Sequence, residues 1–426
     1  MRYEEHMRRA FFSLTVSRFA PYCGITFLLA MVAHNQGSDL AFGAYVLAVY
    51  SVVAVMISMS LAATGNLIAG HVDSPLEKKS LFRGGFSASI VMASLALIIS
   101  CAIYRLADYL PGARMGADKV AALSSIYIGA IPLLVINTFL HFFHEASGAA
   151  RRCSMIKAGV TVCACAYLCG VLYVVKGDSF IYWAMGYFLL NETLLLIALL
   201  RLSTRRELGF SPLYCKRTMR NVAVLGIPIA LGMAGQKLYF FLLNERLAGL
   251  MSVLVAQLSV YMSMIGFIMI PVIAYCQAHS LYISRYAEKS SGSYIKGQLG
   301  LMVVMVVVLG GLLMAGDTLF FWVGGEVVVV FDREAFLSTS ALFLTASVLS
   351  LSTSHLRGLC DTLAPQLMMN VVMLSVLVPI IYFVNAGSAD IHFYLRLQSA
   401  GLLAGFILLQ LRIRQKHLKI LKPNTA

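Results

Sequence analysis

The chain has 426 residues, 60% of them hydrophobic and 12% charged, with a formal net charge of +14. Its mean hydropathy of +0.83 excludes a soluble domain, because that much apolar sequence stays out of water only inside a bilayer. The cation surplus on its own fits a nucleic acid or a membrane surface; where the cations fall, set out below, favours anionic headgroups over nucleic acid.

A bilayer core about 30 Å thick takes about 20 helical residues per crossing. Twelve apolar runs fit that length, at 10–33, 41–68, 84–106, 120–143, 155–175, 180–200, 221–244, 251–277, 297–315, 338–354, 366–384 and 393–411. The first follows basic residues without a small-residue cleavage site, so it reads as a first helix and not as a removed signal. After the sixth comes the longest polar loop, 201–220, with Pro212 and six basic residues. An apolar patch, 327–331, interrupts the loop before the tenth. The expected architecture is an all-α polytopic membrane protein. Its parts are a six-helix lobe over 1–200, a basic linker over 201–220, and a second six-helix lobe with a basic tail over 221–426.

Twelve crossings place both termini on one side. With the termini inside, 24 of the 33 lysines and arginines lie at inner loops and ends, six lie outside, and Arg18, Lys237 and Arg396 fall within spans. That bias predicts cytoplasmic termini in a plasma (inner) membrane. The basic tail from Arg412 then serves headgroups, and a nucleic-acid partner is not expected. The expected partners are the bilayer and a small-molecule or lipid-linked substrate, for a chain acting as a monomer.

Nearly all of the nine cysteines fall in spans or at their inner ends, and none has zinc-ligand spacing with histidine partners. They read as small packing residues. No phosphate-binding glycine loop is present, so ATP hydrolysis on this chain is not expected. Neither a metal, a cofactor nor a catalytic residue is expected, and an enzyme is not the favoured class.

Ionisable groups inside spans are costly and face a wet cavity or a partner. Four stand out: Arg18 in the first span, Lys237 in the seventh, Glu192 beside Asn191 in the sixth, and Glu145 with His141 and His144 at the inner end of the fourth. Each also has a plain structural reading. Arg18 can snorkel, Glu192 can neutralise Arg18 or Lys237, and the histidines can simply pack. Pro21 and Pro228 stand inside the first and seventh spans, where proline kinks a helix.

A shift of about 212 residues superposes the two halves. The tract 145–157 (EASGAARRCSMIK) falls on 357–369 (RGLCDTLAPQLMM), each after a histidine at the inner edge of a span, His144 or His355. Six helices repeated in one orientation give two lobes that can rock to open a cavity on either side, as alternating access requires.

Two stretches carry a family resemblance. Residues 226–236 (GIPIALGMAGQ) open the seventh span, and 356–365 (LRGLCDTLAP) link the tenth and eleventh. Both resemble signatures of the multidrug and toxic compound extrusion (MATE) transporters, whose superfamily also holds lipid-linked oligosaccharide flippases. In the second stretch Gly358 permits a tight turn, Asp361 or Thr362 can cap the next helix, Pro365 suits its first turn, and Arg357 can reach carbonyls or headgroups. The resemblance implies a secondary transporter exporting a small organic molecule; a flippase for a lipid-linked, anionic precursor is the alternative.

The chain departs from the family at its usual carboxylates. There is no Asp or Glu from 10 to 33, Gln236 stands where a Glu is common, and Ala346 and Ser347 occupy the neighbourhood of an Asp. The expectation is therefore a cavity made cationic by Arg18 and Lys237, with Asn191 and Gln236 nearby, taking an anionic or zwitterionic substrate. Glu192, and secondarily Glu145, would serve proton coupling; the sequence leaves proton or sodium open as the coupling ion.

Overall fold

The computed structural model describes residues 3–35, 37–70, 74–106, 117–175, 177–210, 216–250, 252–324, 330–383 and 390–421, and no strand occurs among them. The helices are α1 (Tyr3–Asn35), α2 (Gly37–Ser60), α3 (Ala63–Gly70), α4 (Pro75–Arg105), α5 (Ala117–His144), α6 (Ala150–Val174) and α7 (Phe180–Arg205). Then follow α8 (Lys216–Leu250), α9 (Ser252–Ile268), α10 (Ile270–Arg285), α11 (Ser290–Gly324), α12 (Arg333–Gly358), α13 (Leu363–Asn370), α14 (Val378–Phe383) and α15 (Ile391–Leu421).

Among the described residues nine helical stretches are long and apolar enough to cross a membrane, or ten with the bent pair α9–α10. One of them, Asp118–Val174, is 57 residues long and holds both α5 and α6, joined by a π-helical turn at Glu145–Ala149. Adding α1, 33 residues long, gives the twelve rods that the sequence predicts. The rods repeat in order: Tyr3 pairs with Lys216, Gly37 with Ser252, Pro75 with Ser290, Ala117 with Arg333, Ala150 with Leu363 and Phe180 with Ile391, each offset between 211 and 216.

Three expected spans are not single straight helices. The second breaks between α2 and α3 at Leu61–Ala62, and the eighth breaks between α9 and α10 with a 45° bend. Pro271 sits in the first turn of α10, where its missing N–H costs no ladder bond. The eleventh passes through a π-helical stretch, Val371–Leu377, ahead of Pro379; proline clashes with the turn before it, and a widened turn relieves that clash. The ninth is longer than its apolar stretch suggests, running Ser290–Gly324.

The helix starts follow capping chemistry. Ser74 accepts from the Glu77 amide with Pro75 at the first position of α4, and Asp332 accepts from the Ala335 amide at 2.8 Å to start α12. Helix α11 is apolar on all sides and leaves Val303, Val306, Val307 and Met314 exposed, as a lipid-facing helix does.

The chain divides into two compact units, Val16–Ala230 and Met1–Thr15 with Leu231–Ala426. Both divisions fall inside a helix, α1 and α8. In the first unit α5 is the hub, packed on α4, α7 and α2, with Phe82, Phe139 and Phe143 fully buried around it. In the second, α12 takes that place against α15, α10 and α11. The core of the second unit includes Tyr3, Met7 and Leu14 from the start of α1.

Candidate functional site

In the first unit, Arg18 and Ser17 on α1 meet the inner end of α5. Glu145 Oε1 lies 2.8 Å from Ser17 Oγ and 2.7 Å from His141 Nε2, and Oε2 lies 3.3 Å from an Arg18 guanidinium nitrogen. His141 Nδ1 faces the Cys153 sulfur at 2.9 Å. One proton assignment satisfies all of these: the Ser17 hydroxyl and the His141 Nε2–H donate to the carboxylate, and the Cys153 thiol donates to Nδ1. The Glu145 side chain is 0% exposed and that of Arg18 18%, so the pair is shielded from water on one side only.

Glycine shapes this corner. Gly148, inside the π-helical turn, has φ +88°, a left-handed conformation that favours residues without Cβ. The carbonyl of Ser147 beside it accepts from Arg206 at 2.8 Å, and the Ser147 hydroxyl accepts from the same guanidinium at 2.6 Å. Arg206 also reaches His144 Nδ1 at 3.3 Å. That leaves Nε2–H of His144 to donate to Ser203 Oγ at 2.8 Å. A residue read from sequence as a loop cation thus holds the α5–α6 corner closed.

Deeper in the same unit, Glu192 on α7 accepts from Asn137 Nδ2 at 2.7 Å and from Asn191 Nδ2 at 3.0 Å. Among the described residues the Oδ1 atoms of both asparagines are buried with no hydrogen-bond partner. Lys157 on α6, expected at the inner loop, interacts electrostatically with both Glu145 and Glu192. Two cations, Arg18 and Lys157, and two carboxylates therefore share the interior of this unit.

In the second unit, Gln236 is half-buried and Lys237 exposed on α8, away from the face that buries Gly232, Gly235, Tyr239 and Leu243. The motif glycines have a packing reason. A Cβ at Gly226 would overlap the backbone of Ser60, and one at Gly232 or Gly235 would overlap the side chains of Gln366 or Asn370 on α13. Pro21 and Pro228 stand inside α1 and α8. Arg396, expected within the last span, pairs with Glu334 as an exposed ion pair.

The turn after α12 differs from its sequence reading. Its left-handed residue is Cys360, φ +57°, and not Gly358, whose missing Cβ instead admits Ile283 and the Ser280 carbonyl of α10. No side chain caps α13 at Thr362. The Asp361 carboxylate is drawn instead to two cations on α15, Arg412 at 2.8 Å and Lys416 at 3.3 Å, where a charge-assisted pair outcompetes a cap. Pro365 stands in the first turn of α13, and Arg357 is the penultimate residue of α12.

Sequence reasoning missed a second cluster. Tyr3 Oη lies 2.8 Å from His279 Nδ1, His279 Nε2 lies 3.0 Å from His355 Nδ1, and His355 Nε2 lies 2.9 Å from His417 Nε2. The four residues come from α1, α10, α12 and α15. Only His355 stands out in the sequence, by its place in the repeat; separations of 276, 76 and 62 residues leave no local pattern. Among the described residues no group of histidine, cysteine or acidic side chains could hold a metal ion.

No family model matches the sequence, and no curated protein matches it. Solved structures do match in fold. A MOP superfamily transporter from Pyrococcus furiosus, described as having a binding pocket of reverse polarity that suggests a different function, has a TM-score of 0.79 at 12% identity, covering 99% of this chain and 98% of that one. A multidrug resistance MATE family transporter of the same superfamily, in an outward-facing conformation, also gives 0.79 at 12%, covering 100% and 98%. MATE in a bent conformation gives 0.78 at 12%, covering 99% and 96%. The chain therefore has the MATE transporter fold over its whole length.

Proposed function

We propose that the chain is a MATE-like secondary transporter that exports a small organic molecule by alternating access, driven by an ion gradient. The match of the whole chain to that fold carries the reading, and the ordered repeat of six rods is the architecture that rocking requires. The substrate class is anionic or zwitterionic. The usual carboxylates are absent, the one at Glu145 is already taken by Arg18, and Lys237 is an exposed cation on α8. A pocket of reverse polarity is on record for the similarly folded Pyrococcus furiosus protein, which supports this polarity here. The orphaned oxygens of Asn137 and Asn191 beside Glu192 would accept donors from a polar substrate.

A flippase for an anionic, lipid-linked precursor is the second reading, favoured by the same loss of carboxylates. Proteoliposomes with imposed pH and sodium gradients, loaded in turn with organic cations, organic anions and a polyprenyl-linked phosphate, test both. Anion movement that drops at least about tenfold in Lys237→Ala is the expected result. Movement of cations alone overturns the polarity, and movement of the lipid-linked probe alone favours the flippase.

A further inference from the structure

The chain Tyr3–His279–His355–His417 is a continuous file of hydrogen bonds through the second unit. Tyr3 is 5% exposed, and His279 and His355 are 0% exposed. His417 is half-exposed on α15, so the file has one wet end and one dry end. His279 and His355 use both ring nitrogens and His417 joins through Nε2, and neutral rings then carry one proton each, all pointing the same way. At the dry end Tyr275 lies 3.4 Å beyond Tyr3 and itself donates to the Gly297 carbonyl at 3.1 Å. The Tyr3 hydroxyl can therefore donate to His279 or accept from it without being left unpaired.

Such a file can take up one proton. With the rings pointing toward Tyr3, Nδ1 of His417 is bare. A proton added there sends the Nε2 proton to His355 Nε2, and the Nδ1 proton of His355 moves to His279 Nε2. His279 then holds two protons, His355 and His417 one each, and the file carries a single positive charge. A second charge is excluded, because the rings of His279 and His355 are centred 5.3 Å apart and like charges at that range repel strongly.

Among the described residues no ion pair joins a carboxylate to His279, His355 or His417. From α1 come Glu4, which is exposed and paired to Lys296, and His6, whose imidazole sits below its ordinary range because burial disfavours its charge. Helix α10 contributes Tyr275, Cys276 and Arg285. Helix α11 contributes Tyr294, in ring contact with His355. Near the wet end Lys416 and Arg412 already hold Asp361, and Arg357 ends α12. A charge on the file is thus buried without a counter-ion, and desolvation outweighs what its hydrogen bonds return.

We propose that this file is a proton-binding site, and that its charging releases the start of α1 from the second unit. Water then reaches the cation and solvates it. Because α1 continues into the first unit beyond Thr15, the proton acts on the helix that both units share. This rests on the transporter reading and names its coupling ion as the proton, with the binding site in the second unit and not at Glu192.

Hydrogen–deuterium exchange of residues 3–15 in lipid nanodiscs, followed from pH 8 to pH 5, tests it without any substrate. After division by the intrinsic amide exchange rate at each pH, protection of residues 3–15 in wild type should fall about tenfold toward the acid end, the effect of one pKa unit between two states. The protection in His355→Gln and His417→Gln should be flat with pH, and that in Tyr3→Phe should be low throughout. Protection that is independent of pH in wild type, or equally pH-dependent in both glutamine variants, overturns the site. Proteoliposome transport separates the two readings. Proton-driven transport that survives His355→Gln overturns the coupling, whereas exchange as expected in a protein that transports nothing keeps the proton site and counts against the transporter.

Discussion

At the scale of single residues the most consequential contact is the buried pair of Glu145 and Arg18. A carboxylate with no water around it is stable only while its donors stay, and Ser17, His141 and Arg18 supply three. Arg18→Met alone should cost about 3–5 kcal/mol, the loss typical when one member of a buried pair is removed. The double variant with Glu145→Gln should recover a large part of that, since no charge is then stranded. Thermal unfolding in detergent checks it: additive losses from the two single changes would show that the pair is not coupled. The sequence showed Arg18 and Glu145 as costly charges in spans, which is a property of each residue alone. It could not show that they meet, because 127 residues separate them. Nor did it show that Lys157 reaches inward, since a cation near a span end reads as topology.

At the scale of elements, glycines divide into those that admit a neighbour and those that do not. Gly226 lies against the Ser60 backbone, which cannot give way, whereas Gly310 on α11 meets nothing within 4 Å. Gly226→Ala should therefore destabilise by about 1–3 kcal/mol through overpacking, and Gly310→Ala should stabilise by up to about 1 kcal/mol through helix propensity. Melting temperatures of the two variants moving in the same direction would contradict this division. The rods themselves were legible in the hydropathy, and the repeat was legible in the spacing of loops. The breaks were not, because Leu61–Ala62 and Met269 are as apolar as their neighbours and period alone cannot see a bend. The turn after α12 departs from its sequence pattern for a related reason. A glycine and an acid at a helix junction suit a turn and a cap, but tertiary partners on α10 and α15 claimed both.

At the scale of the whole molecule, the units are divided within α1 at Thr15/Val16 and within α8 at Ala230/Leu231, and each of these helices carries a proline near the division, Pro21 or Pro228. A proline inside a helix costs about 3 kcal/mol, so its presence in both repeats argues for a role in the transport cycle. Pro21→Ala with Pro228→Ala should raise the melting temperature while slowing proteoliposome turnover; a variant that is both more stable and as fast as wild type would remove the prolines from the cycle.

The start of α1 also bears on how the protein is made. Tyr3, Met7 and Leu14 share their core with side chains from Tyr239 onward. At roughly 5–20 residues per second of synthesis, the ribosome has still to deliver more than half the polypeptide when those side chains emerge. For roughly 10 to 50 seconds at that rate the start of α1 must wait unassembled at the insertion machinery. Premature termination or a stall in that interval would strand it there, available to a quality-control protease.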